Sequence, residues 1–386
     1  MKPIIDSILQ TDLYKLTMQW AVIQKFPNAK VNYQFINRDG RKFTEEMSQD
    51  IHQQIHKMRY IVLDDKEKEF LRNKCSFLPA AYLDFLAGYR YDPNEVEVTL
   101  TEDDQLNIFI SGYWYRTILW EVPLMAIVSE VYNRYSNRIV PLEMNNFSTR
   151  TLKKGQALKN LSYADFGTRR RYSEQAQRTA IRSLSYNNLM GTSNIKFAMD
   201  FNLKPIGTQA HEWYMAHGAL YGYKAATEMA LENWVDVYQG SLGIALTDTY
   251  TSDVFFKSFG RKYAKLFDGV RHDSGDPIKF IDKTIEHYQS LGIDPKDKTI
   301  VFSDALDIIK IRKIQWYCGD SIKTSYGIGT YFTNDFPDVK PLNIVIKLRS
   351  IDGNECIKLS DDKGKITGNK EEAELCAKTL GVCNDC

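Results

Sequence analysis

From about residue 160 the chain repeats one plan: a short apolar run, a junction rich in Gly, Asp or Ser, then an amphipathic helical stretch. LSYADFGTRRR leads into SEQAQRTAIRSLSYNNLM, and LKPIGTQAH into EWYMAHGALYGYKAATEMA. LGIALTDT, LFDGVRHDSGDP and KTIVFSDALD keep the same order, and IKTSYGIGT closes the series. Strand, helix and strand again in succession have few solutions: the strands lie parallel and the helices cross over between them. Five or six such units fit a TIM-like α/β barrel better than an open sheet. In barrels the chemistry sits where strands end and loops begin, and every unusual motif of this chain falls at such a junction.

The remainder reads differently. VEVTL and LNIFISG are paired strands across the polar EDDQ turn, and Pro123 in WEVPLMAIVSEVYNRY begins a helix with an apolar face. The 386 residues exceed one ordinary small core and suit a barrel-sized domain plus a smaller one. The expected division is an N-terminal α+β domain over 1–123, an α/β barrel over 124–343 and a C-terminal segment over 344–386.

Composition excludes several classes. With 43% hydrophobic and 26% charged residues the chain is of soluble globular type. Fifty basic against 49 acidic residues give a net charge of +1, which argues against a general nucleic-acid binder. Asp6 and Asp12 interrupt any secretory pattern, and no apolar run is long enough for a bilayer, so no membrane role is expected. Six cysteines in this length make no disulfide scaffold, so the cytoplasm is the expected compartment. Cys383 and Cys386 form one CxxC, with Cys376 and Cys356 upstream; a zinc site pairs two such knuckles, so the cluster reads as a reduced tail without a role.

The junctions carry the candidate chemistry. In FGTRRR, Arg169 and its neighbours follow a strand and precede a helix opened by Ser173 and Glu174; arginine forks suit phosphate oxygens, though a solvated basic turn has the same composition. Phe166 beside them offers a face for a flat heterocycle. In GVRHDSGDP, Asp276 and Pro277 are explained by helix capping. Arg271 and Asp273 alternate with His272 and project from one face, as a site for an anion and a metal–phosphate would require. FSDALD presents Ser303, Asp304 and Asp307; Asp304 and Asp307 have the spacing of a cap and its third residue, while Asp304 also suits Mg²⁺ or ribose hydroxyls. Gly329 and Thr330 in YGIGT form a turn able to cup a phosphate.

GTQAHEW leaves the role of His211 open. Six residues separate it from His217, poor spacing for a shared metal on one helix face, and no Ser-His-Asp pattern is present. His217 and His272 read as structural. A histidine among phosphate-binding junctions can accept a phosphoryl group.

Taken in order, these junctions resemble nicotinate phosphoribosyltransferase, as do TDLYKLTM (Thr11 to Met18), GTSN (Gly191 to Asn194) and the KLSDD segment at Lys358. The resemblance spans nearly the whole chain. It implies a type II phosphoribosyltransferase fold, an irregular α/β barrel joined to a domain built from both chain ends, similar in organisation to nicotinamide and quinolinate phosphoribosyltransferases. The implied reaction joins nicotinate and 5-phosphoribosyl 1-pyrophosphate to nicotinate mononucleotide and pyrophosphate in NAD biosynthesis, with Mg²⁺ and with ATP as co-substrate. It also implies roles. His211 is the histidine that ATP phosphorylates. Phe166 stacks on the pyridine ring, and Tyr14 covers its other face from the partner in a homodimer with shared active sites. Thr208 and Arg271 meet the nicotinate end, Arg169 and Asp273 the ribose, diphosphate and metal, and Gly329 with Thr330 or Thr333 the 5′-phosphate. Nicotinamide-using relatives carry an aspartate where this chain has Ser193; a carboxylate there would repel nicotinate, so serine favours the acid. The rival readings are a nicotinamide phosphoribosyltransferase, and a metal-dependent barrel hydrolase built on Asp273 and Asp304.

Overall fold

Short polar side chains set where many helices of this chain begin. Ser173 accepts a hydrogen bond from the Ala176 N–H and opens helix Glu174–Ser185. Asp276 accepts from the Ile278 N–H, and Pro277 takes the first position of helix Pro277–Ser290. Both starts are as the sequence predicts. The structure, a computed structural model, describes residues 2–136 and 139–382; Cys383 and Cys386 of the CxxC lie outside them.

Other boundaries move. Asp307, not Asp304, caps helix Ile308–Cys318 by accepting from the Lys310 N–H, so the capping role expected of Asp304 is corrected. The helix expected to begin at Pro123 starts at Glu121 and runs to Ser136, because a proline is tolerated anywhere in a first turn that has no N–H partner to lose. The stretch after GTQAH is two helices, His211–Tyr221 and Tyr223–Tyr238. They part at Gly222, whose φ of +82° suits a glycine.

The chain forms two compact units. One comprises residues up to Trp20, Tyr33–Gly207 and Ile328–Ile346. In it, β1 (Lys30–Asn37, from Tyr33 onward), β2 (Val96–Leu100) and β3 (Leu106–Tyr113) lie in the order β1-β3-β2. β2 and β3 pair antiparallel from Val96↔Ile110 to Leu100↔Leu106, across the expected turn. Leu106, Ile108 and Ile110 of β3 are buried while Phe109 is exposed, the two-residue period of a sheet with one face on a core. β4 (Tyr163–Asp165), β5 (Gly191–Thr192) and β6 (Lys204–Pro205) then run parallel, with Ala164↔Gly191 and Gly191↔Lys204 in register.

The other unit comprises Ala21–Asn32, Thr208–Gly327 and the chain from Lys347 onward. Its strands β7 (Ile244–Leu246), β8 (Gly269–His272), β9 (Thr299–Phe302) and β10 (Lys323–Ile328) are parallel in that order. Helices Ser252–Ser258, Pro277–Ser290 and Ile308–Cys318 follow the first three. β11 (Ile344–Ile351) and β12 (Asn354–Glu355) close an antiparallel hairpin, after which Lys358 and Thr367 pair as an isolated bridge. The chain is thus an α/β protein with the expected parallel strand–junction–helix series and a separate antiparallel sheet. Among the described residues no helix is long and apolar enough to cross a membrane.

The parallel strands approach so closely that side-chain volume is excluded at Gly191 and at Gly269. A Cβ on Gly269 of β8 would overlap the carbonyl oxygen of Thr299 on β9. Gly269→Ala is expected to cost about 1–3 kcal/mol, as overpacked sites do. An unchanged midpoint in urea unfolding would contradict that close approach.

Candidate active site

His211 is the first residue of its helix, so its ring lies where unpaired backbone N–H groups leave partial positive charge. The side chain is 9% exposed and both ring nitrogens are engaged. Nδ1 lies 3.1 Å from Thr249 Oγ1, in the junction after β7. Nε2 lies 3.1 Å from Asp273 Oδ2, in the junction after β8, and 3.0 Å from Lys358 Nζ. Asp248 stands behind them: its Oδ2 is 3.2 Å from Lys358 Nζ and 2.5 Å from Ser274 Oγ, and its Oδ1 is 3.6 Å from His211 Nε2.

Burial and charge fix the ionisation of this group. Desolvation, reinforced by the Lys358 ammonium, pushes the His211 pKa down to about 4, so the ring is neutral near pH 7. Burial works to raise Asp273, but Arg271, the His211 hydrogen bond and Lys358 outweigh it and hold the carboxyl well below the usual range. Asp248 is lowered too, His211 and Lys358 overcoming its burial. A neutral imidazole beside ionised carboxylates is the state a nucleophilic nitrogen needs.

The remaining predicted residues of this unit gather around Asp273. Ser303 donates to Asp273 Oδ1 at 2.5 Å, and Arg271 Nη2 stands 3.4 Å from Oδ2. Arg271 also donates through Nη1 to the Gln209 carbonyl at 3.2 Å, while its buried Nε and both side-chain polar atoms of Gln209 have no hydrogen-bond partner among the described residues. Thr208 donates to the Ile244 carbonyl at 2.9 Å. Asp304, freed from capping, is held by Lys365 Nζ at 2.7 Å and Lys310 Nζ at 3.5 Å. His217 and His272 are core residues as expected: His217 is spent on the Trp213 carbonyl and Asn233, and His272 packs on Phe280 and Phe302.

His211, Asp248 and Asp273 bring three ligand-type atoms within 4.8 Å of one another. They do not fit a resident Mg²⁺. That ion takes oxygens in octahedral array, whereas one donor here is a nitrogen and the Lys358 ammonium already lies within hydrogen-bonding distance of two of the three residues.

The other unit holds a second polar cluster. Ser193 donates to Asp12 Oδ1 at 2.7 Å, and Leu13 donates its N–H to the Ser193 carbonyl at 2.9 Å. Arg169, 41% exposed, places Nε 3.9 Å from Asp12 and Nη1 3.6 Å from Glu121, whose other oxygen is 2.6 Å from the buried Lys15. Burial raises the Asp12 pKa against the pull of Arg169. The three arginines of FGTRRR therefore part company: Arg170 donates to the Ile344 carbonyl and Arg171 is wholly buried beside Glu130. Tyr14 is 8% exposed in its own chain. Phe166 donates its N–H to the Ile328 carbonyl, which seats it beside Gly329 and Thr330. Thr333 is fully buried with its hydroxyl donated to the Gly167 carbonyl, whereas Thr330 opens the following helical turn.

Sequence reasoning missed Asp248, Thr249, Lys358 and Lys365 as participants. Asp248 and Thr249 had a usable signal, since LGIALTDT is a junction of the same series. The lysines had no periodicity to mark them: Lys358 stands out only through the KLSDD resemblance, which gives it no role, and Lys365 not at all.

Comparison with known proteins agrees across nearly the full length. Residues 9–129 match the nicotinate phosphoribosyltransferase (NAPRTase) N-terminal domain, and residues 161–383 match the nicotinate phosphoribosyltransferase (NAPRTase) family. The chain is 50% identical to a nicotinate phosphoribosyltransferase of Desulforapulum autotrophicum, over 97% of this chain and 99% of that protein. It is 46% identical to that of Chromohalobacter salexigens, over 98% and 99%. The crystal structure of nicotinate phosphoribosyltransferase from Porphyromonas gingivalis superposes with a TM-score of 0.94 at 43% identity, covering 98% of this chain and 100% of that one.

The depressed pKa has a measurable consequence. Free histidine titrates near 6.5, so between about pH 6.5 and 4 the unfolded chain binds more protons at this position than the folded one, and stability contributed by the neutral ring is lost as pH falls. In ¹⁵N-histidine spectra, the His211 ring is expected to stay neutral from pH 7.5 down to roughly pH 5. Protonation with a midpoint near that of free histidine would show that the ring is not held as described.

Proposed function

The chain belongs to the nicotinate phosphoribosyltransferase family, and from that premise we propose how its residues share the reaction of nicotinate with 5-phosphoribosyl 1-pyrophosphate. The pyridine nitrogen is itself the nucleophile, so no strong base is required. The protein's task is to align the ring with the anomeric carbon and to stabilise the leaving pyrophosphate at a cationic, oxocarbenium-like centre. Alignment alone supplies about 7–11 kcal/mol in well-oriented systems. Phe166 stacks the ring, and Tyr14 covers it from the partner subunit of a homodimer. Thr208 and Arg271 take the nicotinate end, Arg271 answering the carboxylate. Arg169 faces the diphosphate, and Asp273, Ser303 and Asp304 the ribose side. Gly329 and Thr330 cup the 5′-phosphate; the commitment of the Thr333 hydroxyl to Gly167 favours Thr330 for that role. Mg²⁺ brought by the diphosphate would neutralise its charge, and Asp273 would be the carboxylate to meet it. The parallel strands belong, in this reading, to an irregular barrel whose junctions carry these groups.

ATP enters as co-substrate through His211. The observation that carries this part is a neutral, desolvated imidazole at a helix start, ringed by Thr249, Asp273 and Lys358. Phosphorylation there changes the affinity for substrates, and its hydrolysis drives product release; such a modification shifts states only through differential affinity.

Formation of pyridine mononucleotide is to be followed with nicotinate and with nicotinamide, each with and without ATP. Product from nicotinate, raised by ATP with release of ADP, is expected, and His211→Ala is expected to lose the ATP effect. Full stimulation in that variant would end the phosphohistidine assignment; product from nicotinamide alone would overturn the substrate. For specificity, Ser193→Asp is expected to lower kcat/KM for nicotinate about tenfold or more, equivalent to about 1.4 kcal/mol. Because Asp12 adjoins Ser193, the double variant with Asp12→Asn separates repulsion of the substrate from repulsion between the two side chains. Unchanged kinetics in both would remove Ser193 from the specificity argument.

A further inference from the structure

Nε2 of His211 stands between two groups that ask opposite things of it. Lys358 Nζ, 3.0 Å away, has only donors to offer as an ammonium, and Asp273 Oδ2, at 3.1 Å, is an acceptor. A neutral ring nitrogen satisfies one of them. With a proton, Nε2 donates to Asp273 and turns its N–H against the ammonium. Without one, it accepts from Lys358 and turns its lone pair toward the carboxylate. Accepting a phosphoryl group demands the second arrangement.

We propose that Lys358 selects the tautomer of His211 that carries its proton on Nδ1, where it is donated to Thr249 Oγ1, and then binds the phosphoryl oxygens once Nε2 is modified. The proposal rests on the reading of His211 as phosphoryl acceptor and adds the residue that makes it one. Three features support it. Lys358 is 4% exposed and anchored by Asp248 Oδ2 at 3.2 Å, so its ammonium is held at Nε2. Its backbone is fixed in both directions to Thr367, and Leu359 donates to the carbonyl of Thr249 at 2.8 Å. One contact between segment and loop therefore sets both the donor at Nε2 and the acceptor at Nδ1. Finally, Asp273 has Ser303 and Arg271 as further partners, so its charge is met without the ring proton.

The step balances without an added base. The Nε2 lone pair forms the N–P bond to the γ-phosphorus of ATP. The P–O bond toward the β-phosphate breaks, and its electron pair leaves with ADP. The Nδ1 proton stays in place, so the ring becomes cationic while the phosphoryl anion faces Lys358. In hydrolysis, water forms the new O–P bond, the N–P pair returns to Nε2, and the displaced proton leaves to solvent with phosphate. A lysine suits this role because a compact ammonium with three donors can keep Asp248 while reaching either Nε2 or a phosphoryl oxygen.

The test uses the full-length protein with ¹⁵N-labelled histidine, without ATP, the His211 signals being identified by their loss in His211→Asn. Nε2 is expected to be unprotonated in the wild type and protonated in Lys358→Met. A proton on Nε2 in the wild type, or a bare Nε2 in both proteins, overturns the proposal. If Lys358→Met does not fold, a proton on Nε2 in the wild type still overturns the proposal, and Lys358→Arg, which keeps a cationic donor, is expected to keep Nε2 bare; a protonated Nε2 in that variant overturns it too. Labelling by γ-³²P ATP forms the second arm: about tenfold or more loss is expected in Lys358→Met, with partial return in Lys358→Arg. Undiminished labelling of Lys358→Met overturns the proposal and leaves the phosphohistidine reading intact. A wild type that takes no label, yet shows the expected ring spectra, removes that reading and the phosphoryl half of the proposal while the tautomer assignment stands.

Discussion

Charge inside a protein has to be met by charge or by hydrogen bonds, and here that requirement is concentrated on Asp248. Its carboxylate is 1% exposed; Oδ2 is answered by Lys358 and Ser274, while Oδ1 has no hydrogen-bond partner among the described residues. Removing one partner of such a buried pair typically costs about 3–5 kcal/mol, because the survivor is left desolvated and unpaired. The segment bearing Lys358 is therefore part of the site's electrostatics as well as of the fold. Ser360 bonds Ser274, and Asp361 takes the N–H and hydroxyl of Ser252, so the same segment is tied down on both sides of the lysine. The ammonium also lies within hydrogen-bonding distance of two of the three ligand-type side chains gathered here.

Much of this was legible in the sequence, for reasons that are local. Junction residues write themselves into the chain: Asp276 before Pro277 and Ser173 before Glu174 open helices because their side chains reach the next turn. Arg271 and Asp273 alternate along one strand end, and the structure places them 3.4 Å apart. What failed was equally local. Asp304 and Asp307 have the same spacing as a cap and its third residue, but the chain turns between them at Ala305, whose φ of +43° ends the strand geometry before Asp307 begins the helix. β5 is two residues of GTSN with no apolar run before it, so no periodicity announced it.

The charged motifs show how far composition misleads. FGTRRR reads as three guanidinium groups aimed at phosphate, yet Arg171 is spent on the interior and Arg170 on a backbone carbonyl. Ser193 was weighed alone, whereas its hydroxyl is committed to Asp12, a residue from the first dozen of the chain. What this position presents is a property of the pair: a serine that covers a buried carboxylate differs from a serine in the open. Long-range partners of this sort leave no trace in spacing.

The reach of Lys358 back to His211 also carries a meaning for how the molecule is made. Chains are synthesised from the N-terminus, so the histidine, its threonine and both carboxylates leave the ribosome well before the lysine that faces them. Until then the chain has no partner for the Asp248 carboxylate from this segment, nor the donor proposed for Nε2 of His211. A nascent chain that has not yet reached Lys358 thus holds the histidine and both carboxylates without the ammonium that faces them.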